Sequence, residues 1–217
     1  MNKTLYKAIK KEYPDVKIVL ASKYLNSFSL FKPFLDEAFY DFGENRVEAI
    51  LEKQAYLKDY PIKWHFIGTL QSKKVKKVIH LIDTLHTLDH MSLAKEIEKR
   101  RETPLKCYIQ VNISLEPQKH GLALDEVKNF VDTLKDFKKI HVCGLMGMAQ
   151  DTSDESIIKD QFKRLRDLRD TLQKDYPNIK ALSMGMSQDY KVALKEGATV
   201  LRLGRILLAE DSEWEKN

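Results

Sequence analysis

The chain has 217 residues, of which 43% are hydrophobic, and no Pro/Gly/Ser-rich linker or charge-only stretch divides it. A chain of this length and composition can bury one sizeable core, so we expect a single domain over residues 1–217. The 37 basic and 32 acidic side chains give a net charge of +5, spread along the sequence. This charge is too mild to indicate a nucleic-acid surface, but it is compatible with a small anionic ligand.

Signals for export or for a membrane are not found in the sequence. Residues 1–17 are charged and lack the apolar segment of a signal peptide. No later apolar run approaches the roughly 18–20 residues of a membrane helix. Cys107 and Cys143 lie in apolar runs without metal-ligand spacing, which is typical of reduced core thiols. We therefore expect a cytoplasmic protein without nucleic-acid or membrane partners, either a monomer or a weak dimer.

Strand-like runs alternate with helical patterns along the chain. The predicted strands are 17–22, 38–42, 64–67, 84–88, 106–113, 141–146, 181–186 and 199–203. Apolar residues at helical spacing occur between them, for example over 47–57, 75–79 and 127–134. Ser153, followed by two acidic residues, is predicted to cap a long helix through Leu172, and Gly197 to end a helix over 190–196.

This alternation predicts a parallel sheet with helical crossovers. Eight repeats in just over 200 residues favour a closed (β/α)8 TIM barrel of minimum size over a doubly wound open sheet. The sequence contains neither GxGxxG after the first strand nor GxxxxGK[ST]. It therefore indicates neither dinucleotide nor P-loop chemistry, and the open sheet becomes a weaker alternative.

Polar residues and glycines follow most of the predicted strands. In a TIM barrel the carboxyl ends of the strands share one face, where active sites lie. The candidates are Lys23, Glu44, Asn45, Gly68, Asp89, Asn112, Gly144, Ser187, Arg202 and Gly204.

The last two strands carry a predicted phosphate site. In this fold, phosphate commonly rests on the loops after strands seven and eight, where backbone N–H groups and a hydroxyl can bind it. Gly204 lets the backbone approach closely, Ser187 offers a hydroxyl, and Arg205 offers a backbone N–H. The alternatives are that Ser187 caps a helix and that Gly204 is a simple strand-to-helix turn.

Two basic residues have further chemical potential. A lysine at a strand end inside a pocket, such as Lys23, can be desolvated and can form an imine with an aldehyde. Arg202 faces inward by strand alternation and is placed to reach a pyridine nitrogen, which it would keep unprotonated. The alternatives are that Lys23 is a surface lysine and that Arg202 forms an ion pair with Glu44 or Asp89.

Taken together, these segments resemble the pyridoxal phosphate homeostasis protein family, the single-domain relatives of the alanine racemase barrel. The resemblance extends from about Lys17 to Arg205. The matching stretches are Ala21-Ser22-Lys23, Phe42-Gly43-Glu44-Asn45, Trp64-His65-Phe66-Ile67-Gly68 with Leu70-Gln71, Gln110-Val111-Asn112-Ile113, Gly144-Leu145-Met146, Leu182-Ser183-Met184-Gly185-Met186-Ser187 and Arg202-Leu203-Gly204.

The resemblance implies pyridoxal 5'-phosphate (PLP) as the cofactor and a role for most of the candidate residues. Lys23 would carry the cofactor as a Schiff base, and Asn45 and Asn112 would line the pocket near the ring. The phosphate would be held by Ser187, Gly204 and Arg205, and the pyridine nitrogen would face Arg202.

The implied function is binding of PLP in vitamin B6 homeostasis, without an established reaction. PLP-dependent apoenzymes are the candidate recipients. A two-base racemase uses a second acid/base from an additional domain, and we expect no such domain because the chain ends at Asn217. Two alternatives are a minimal PLP-dependent amino-acid racemase that uses Lys23 as its only base and a barrel that binds a phosphorylated metabolite.

The chain departs from the family pattern in two loops, at 70–74 and at 207–209. The lysines at 73, 74, 76 and 77 are expected to face solvent. His65 is interpreted as a structural histidine with satisfied hydrogen bonds, and its alternative role is a proton shuttle.

Overall fold

A computed structural model describes residues 1–208 of the protein. Eight parallel strands form a closed barrel in chain order. The strands are β1 (Lys17–Ala21), β2 (Asp41–Glu44), β3 (Lys63–Phe66), β4 (Thr84–Leu88), β5 (Leu105–Val111), β6 (Ile140–Gly147), β7 (Ala181–Ser183) and β8 (Val200–Leu203). β8 pairs with β1 and closes the barrel, with Val19 beside Arg202.

Helices occupy most of the connections between the strands. They are α1 (Lys3–Glu12), α2 (Phe28–Leu35), α3 (Val47–Leu57), α4 (Val75–Val78), α5 (Met91–Arg100), α6 (Val127–Thr133), α7 (Glu155–Gln173), α8 (Tyr190–Lys195) and α9 (Arg205–Leu208). The backbone N–H of Asn2 donates to the Leu207 carbonyl at 2.8 Å, which ties the start of α1 to α9. No helix within residues 1–208 is long and apolar enough to cross a membrane.

The (β/α)8 prediction is confirmed, with differences at the strand ends. β2 begins at Asp41 rather than at residue 38, because Ala38 has a φ of +54° in the turn before it. β7 ends at Ser183, before Gly185 with its φ of +94°. Gly144 lies inside β6 rather than after it. Residues 209–217 belong to the predicted domain but lie outside the described residues. They include Ala209, the last residue of the loop at 207–209 that departs from the family pattern.

The start of α7 differs from the predicted cap by one residue. Asp154, not Ser153, is the N-cap, and its carboxylate accepts hydrogen bonds from the Ser156 and Ile157 N–H groups. A carboxylate at this position also interacts favourably with the helix dipole. Gly197 follows the last turn of the α8 segment with a φ of +88°, as predicted for a helix stop.

Alternation along the strands separates an outer core from the barrel interior. Ile18 and Leu20 belong to the main apolar core between strands and helices. Val19 points the other way and packs with Tyr108, Met146 and Val200 in a small second cluster. The rest of the interior is unusually polar: Asp41, His65, His86, Ser183 and Arg202 interact across it. The fold therefore positions charged and hydrogen-bonding groups inside the barrel.

Candidate functional site

The loops after β7 and β8 meet at the predicted phosphate site. The Gly204 N–H lies 3.3 Å from the Ser187 Oγ and donates to it. Ser187 does not cap α8, because the N-cap of that helix is Asp189. Arg205 follows directly as the first residue of α9 and is exposed. The structure thus brings a hydroxyl and a backbone donor together at the carboxyl ends of two neighbouring strands.

Two glycines near this site have different reasons to be glycine. Gly185 has a φ of +94°, and a Cβ there would lie 2.7 Å from the Ala193 Cβ. A larger residue would therefore be strained. A Cβ at Gly204 would meet only the Ala21 Cβ, at 3.7 Å, which is an ordinary contact. Packing does not require glycine at Gly204, but its missing side chain leaves room for a ligand to approach the backbone.

Arg202 is the buried cation beneath this site. Its Nη1 donates to the Ser183 carbonyl at 2.7 Å and to the Ser183 Oγ at 2.8 Å, and its Nη2 donates to the Gly147 carbonyl at 3.1 Å. Burial lowers the pKa of Arg202 to about 10, although the charge of Asp189 opposes the shift. Arg202 therefore remains a cation at neutral pH, and the alternative of an ion pair with Glu44 or Asp89 is not observed.

Arg202 also keeps unused donors. Of the five N–H bonds of a guanidinium group, three bind the acceptors on Ser183 and Gly147. The Nε–H and the second N–H of Nη2 have no hydrogen-bond partner among residues 1–208. These two donors are the ones that a ligand with an acceptor nitrogen or oxygen can use.

Lys23 and Asn45 follow the neighbouring strands β1 and β2, and both are exposed. The Nζ of Lys23 lies 4.7 Å from the centroid of the Tyr24 ring. Burial therefore does not desolvate this lysine, although a lysine at a strand end inside a pocket could have been buried. Exposure leaves its amine accessible from solvent. Lys23 comes two residues after Ala21, whose Cβ is the atom nearest to the open Cβ position of Gly204. Lys23 therefore follows the strand that pairs with β8, at the same end of the barrel as the predicted phosphate site.

The backbone before Lys23 is held by a buried ion pair that the sequence analysis missed. Lys53 on α3 forms a salt bridge with Glu44, and its Nζ also donates to the Ser22 carbonyl at 2.6 Å. The Ser22 hydroxyl donates to Glu44 Oε1 at 2.8 Å. The signal for Lys53 was its spacing, because it lies three residues after Ile50 and four before Leu57 on the buried stripe of the helix.

Asn112 lies directly after β5, but its side chain binds its own loop. Its Nδ2 donates to the Glu116 carbonyl at 2.9 Å, and its Oδ1 accepts from the Ser114 hydroxyl at 3.2 Å. None of these bonds reaches another predicted site residue. Asn112 therefore orders the loop over 112–122 in the structure, and its contact with a ring stays a prediction.

Two buried histidines occupy the interior below Arg202. His65 Nε2 lies 2.9 Å from Asp41 Oδ1, and His65 Nδ1 lies 2.9 Å from His86 Nε2. His86 Nδ1 lies 2.8 Å from Ser183 Oγ. Both nitrogens of His65 have partners, as predicted for a structural histidine. His86 and Ser183 were not among the predicted site residues, because strand alternation gave no sign that they would meet across the barrel.

The predicted lysine cluster lies in the connection between β3 and β4. Lys73, Lys76 and Lys77 are exposed, and Lys74 pairs with Glu48 at 2.9 Å. These positions agree with the expected solvent-facing surface.

Comparison with known proteins defines the class of this barrel. The family described as "Alanine racemase, N-terminal domain" matches residues 6–211. The alanine racemase of Clostridium difficile 630 has the same fold, with a TM-score of 0.78 over 95% of this chain and 55% of that chain, at 15% identity. The protein is thus an alanine racemase N-terminal-domain-like barrel.

Closer relatives define the family within that class. The pyridoxal phosphate homeostasis protein of Aquifex aeolicus is 38% identical over 173 residues, which are 78% of this chain and 76% of the relative. That of Pseudomonas aeruginosa is 35% identical over 170 residues, 77% of this chain and 73% of the relative. The chain therefore belongs to the pyridoxal phosphate homeostasis protein family, as the sequence resemblance indicated.

A solved relative carries the cofactor. PipY of Synechococcus elongatus PCC7942 has been solved with PLP bound and superposes with a TM-score of 0.87 at 28% identity, covering 96% of this chain and 99% of PipY. The form without PLP superposes with a TM-score of 0.89, covering 96% of this chain and 100% of PipY.

Proposed function

We propose that this protein binds PLP through a covalent link to Lys23 and acts in PLP homeostasis without catalytic turnover. The observation that carries the proposal is the pairing of the Gly204 N–H with the Ser187 hydroxyl beside an open Cβ position. Membership of the family and the PLP-bound form of PipY support it. The cofactor supplies an aldehyde that reacts with an amine and a pyridine ring that withdraws electrons.

The donor set suits a phosphorylated pyridine. A phosphate needs several hydrogen-bond donors, which the Ser187 hydroxyl and the backbone at Gly204 and Arg205 would supply. Its negative charge would be compensated in part by the buried Arg202 cation. Lys23 would offer its exposed amine to the aldehyde from β1, the strand next to β8. Asn45, after β2, would line the ring on the other side of Lys23, and Asn112 would border it from the loop after β5.

Arg202 argues for binding rather than turnover. The pKa of about 10 keeps its proton in place at neutral pH, so it would donate to the ring nitrogen and leave that nitrogen unprotonated. An unprotonated pyridine accepts electrons poorly, which disfavours proton removal from a bound amino acid. The two buried histidines use both ring nitrogens in hydrogen bonds, so neither offers a free base for racemisation.

Homeostasis would require the cofactor to reach and leave the site. The exposure of Lys23 and Asn45 suits transfer to PLP-dependent apoenzymes, the partners we propose. We place this role in the cytosol because Cys107 and Cys143 are both unpaired thiols.

The test is a visible absorption spectrum after incubation with PLP, followed by borohydride reduction and peptide mapping. We expect an absorption band and a reduced adduct at Lys23, and we expect both to be lost in Lys23→Arg. Lys63→Arg is the matched control, because Lys63 is also exposed but begins β3, at the opposite end of the barrel from the site. An adduct scattered over surface lysines, or one that persists in Lys23→Arg, would refute the assignment.

A further inference from the structure

A continuous chain of hydrogen bonds runs through the interior of the barrel from Arg202 to Asp41. We call it the polar chain, and it consists of Arg202, Ser183, His86, His65 and Asp41. The successive distances are 2.8 Å from Arg202 Nη1 to Ser183 Oγ, 2.8 Å from Ser183 Oγ to His86 Nδ1, 2.9 Å from His86 Nε2 to His65 Nδ1 and 2.9 Å from His65 Nε2 to Asp41 Oδ1. It links five strands, β8, β7, β4, β3 and β2.

Donor and acceptor chemistry gives the polar chain one direction. An ionised carboxylate only accepts, so His65 donates from Nε2 to Asp41 and, when neutral, accepts at Nδ1. His86 must then donate from Nε2 to His65 and accept at Nδ1. The Ser183 hydroxyl therefore donates to His86, and its oxygen accepts from Arg202. Each member donates towards Asp41, and each link depends on the one before it.

The surroundings hold both histidines in the neutral form that this direction requires. Burial lowers the pKa of His65, although the hydrogen bond that its ring donates to Asp41 opposes the shift. The charge of Lys17 lowers this pKa further, and the charge of Asp83 raises it. Burial lowers the pKa of His86 well below its usual value, and the charges of Arg202 and Lys17 act in the same direction.

The polar chain is also fixed at its sides and at its far end. The Tyr108 ring stacks on His86 with centroids 4.6 Å apart and planes 16° apart, so rotation of the imidazole is restricted. Asp41 is held by Lys17 at 2.9 Å. Hydrogen bonds from His65 and Lys17 outweigh the effect of burial and lower the pKa of Asp41 to about 2. A cavity of about 320 Å³ borders Lys17, Asp41 and Lys63 at the amino ends of the strands.

We propose that His86 and Ser183 are positioning residues that orient Arg202 towards the ring nitrogen of the cofactor, with Asp41 as the distant anchor of their hydrogen bonds. The polar chain commits both protons of Nη1 to Ser183, which fixes the plane of the guanidinium group. The Nε–H and the remaining Nη2–H are thereby presented as a fixed pair of donors. This inference rests on the proposed binding of PLP.

The first arm of the test needs no cofactor. In the ¹⁵N-labelled protein at pH 7, long-range ¹H–¹⁵N correlation spectra report which nitrogen of each histidine carries the proton. We expect the Nε2–H form for both His65 and His86. In Ser183→Ala the Nδ1 of His86 loses the hydroxyl that donates to it. We therefore expect its ¹⁵N signal to move towards the position of an unprotonated ring nitrogen that accepts no hydrogen bond. An Nδ1–H form of either ring in the unaltered protein would overturn the direction of the polar chain and, with it, the proposal.

The second arm measures the cofactor. Ser183→Ala should shift the absorption band of bound PLP and raise its apparent dissociation constant about tenfold, the effect of one lost hydrogen bond to a charged group. The matched control is Thr199→Val, which removes a hydroxyl that joins the residue before β8 to the Leu182 backbone of β7 without contacting Arg202. It should leave the band and the dissociation constant unchanged.

The outcomes separate the two proposals. If the unaltered protein forms the Lys23 adduct but Ser183→Ala binds PLP with the same band and affinity, the positioning role is wrong and the proposed function stands. If the unaltered protein forms no adduct, the proposed function is wrong, and the role of the polar chain towards a cofactor is wrong with it. A moved His86 Nδ1 signal in Ser183→Ala, together with a shifted band and weaker PLP binding, would support both.

Discussion

Removal of the Lys53 ammonium should destabilise the protein strongly, because Glu44 is buried and would lose its counter-charge. The Glu44 side chain is 0% exposed and that of Lys53 is 7% exposed. In Lys53→Met the side-chain volume changes little, so the main cost is an uncompensated buried carboxylate. Breaking such a pair costs about 3–5 kcal/mol. Because domains are typically stable by about 5–15 kcal/mol, this is a large fraction of the total.

Urea denaturation of Lys53→Met, monitored by far-ultraviolet circular dichroism, measures this loss as a lower midpoint at an unchanged slope. In the double variant Lys53→Met/Glu44→Gln the buried charge is absent, and about 2 kcal/mol should return. The matched control is Lys74→Met, which breaks the Lys74–Glu48 pair, exposed by 37% and 51%. That pair should contribute at most about 1 kcal/mol. If Lys53→Met costs no more than Lys74→Met, our account of the buried pair is incorrect.

Two further predictions concern pH and glycine geometry. Burial lowers the pKa of His65 and His86 in the folded chain, whereas unfolded histidine titrates near pH 6.5. The unfolded state therefore binds more protons as the pH falls below about 6.5, and the free energy of unfolding should decrease by at most about 1.4 kcal/mol per pH unit for each histidine. In urea denaturation between pH 7.5 and 5.5, the free energy of unfolding of His86→Gln should depend less steeply on pH than that of the unaltered protein. An equal dependence on pH would contradict this. Gly185→Ala should cost about 2 kcal/mol or more, because the methyl group would lie 2.8 Å from Leu201 Cδ2 at a φ of +94°. Gly204→Ala should change stability by less than about 0.5 kcal/mol but weaken PLP binding, and equal stability effects at the two glycines would refute their separate roles.

Short-range patterns were sufficient for the architecture. The eight strands were recognisable because apolar runs alternate with helical spacing, and their number predicted closure into a barrel. The predicted strand ends differ most from the observed ones at the start of β2 and at the end of β7. The backbone there turns at Ala38 and Gly185 with positive φ, and residue type alone does not specify where a strand gives way to such a turn.

Part of the candidate site was also visible in the sequence. Ser187 and Gly204 were predicted to meet because they follow adjacent strands, and the 3.3 Å hydrogen bond agrees with that prediction. The sequence left the burial of Lys23 open, and the side chain is exposed. Burial depends on which loops cover a strand end. Asn112 illustrates the same limit: its amide binds the nearby loop, and that preference depends on the loop's path.

The sequence by itself determined the order of strands, the inward face of Arg202 and the family of the chain, because these depend on alternation and on local motifs. Only the tertiary structure decided the partners inside the barrel. His65 and His86 are 21 residues apart in sequence, and His86 and Ser183 are 97 residues apart. No local pattern relates residues at such separations. Pairing of β3 with β4 places His65 beside His86, and closure of the barrel brings β4 to face β7. Burial away from water then requires each buried polar group to find a hydrogen-bond partner.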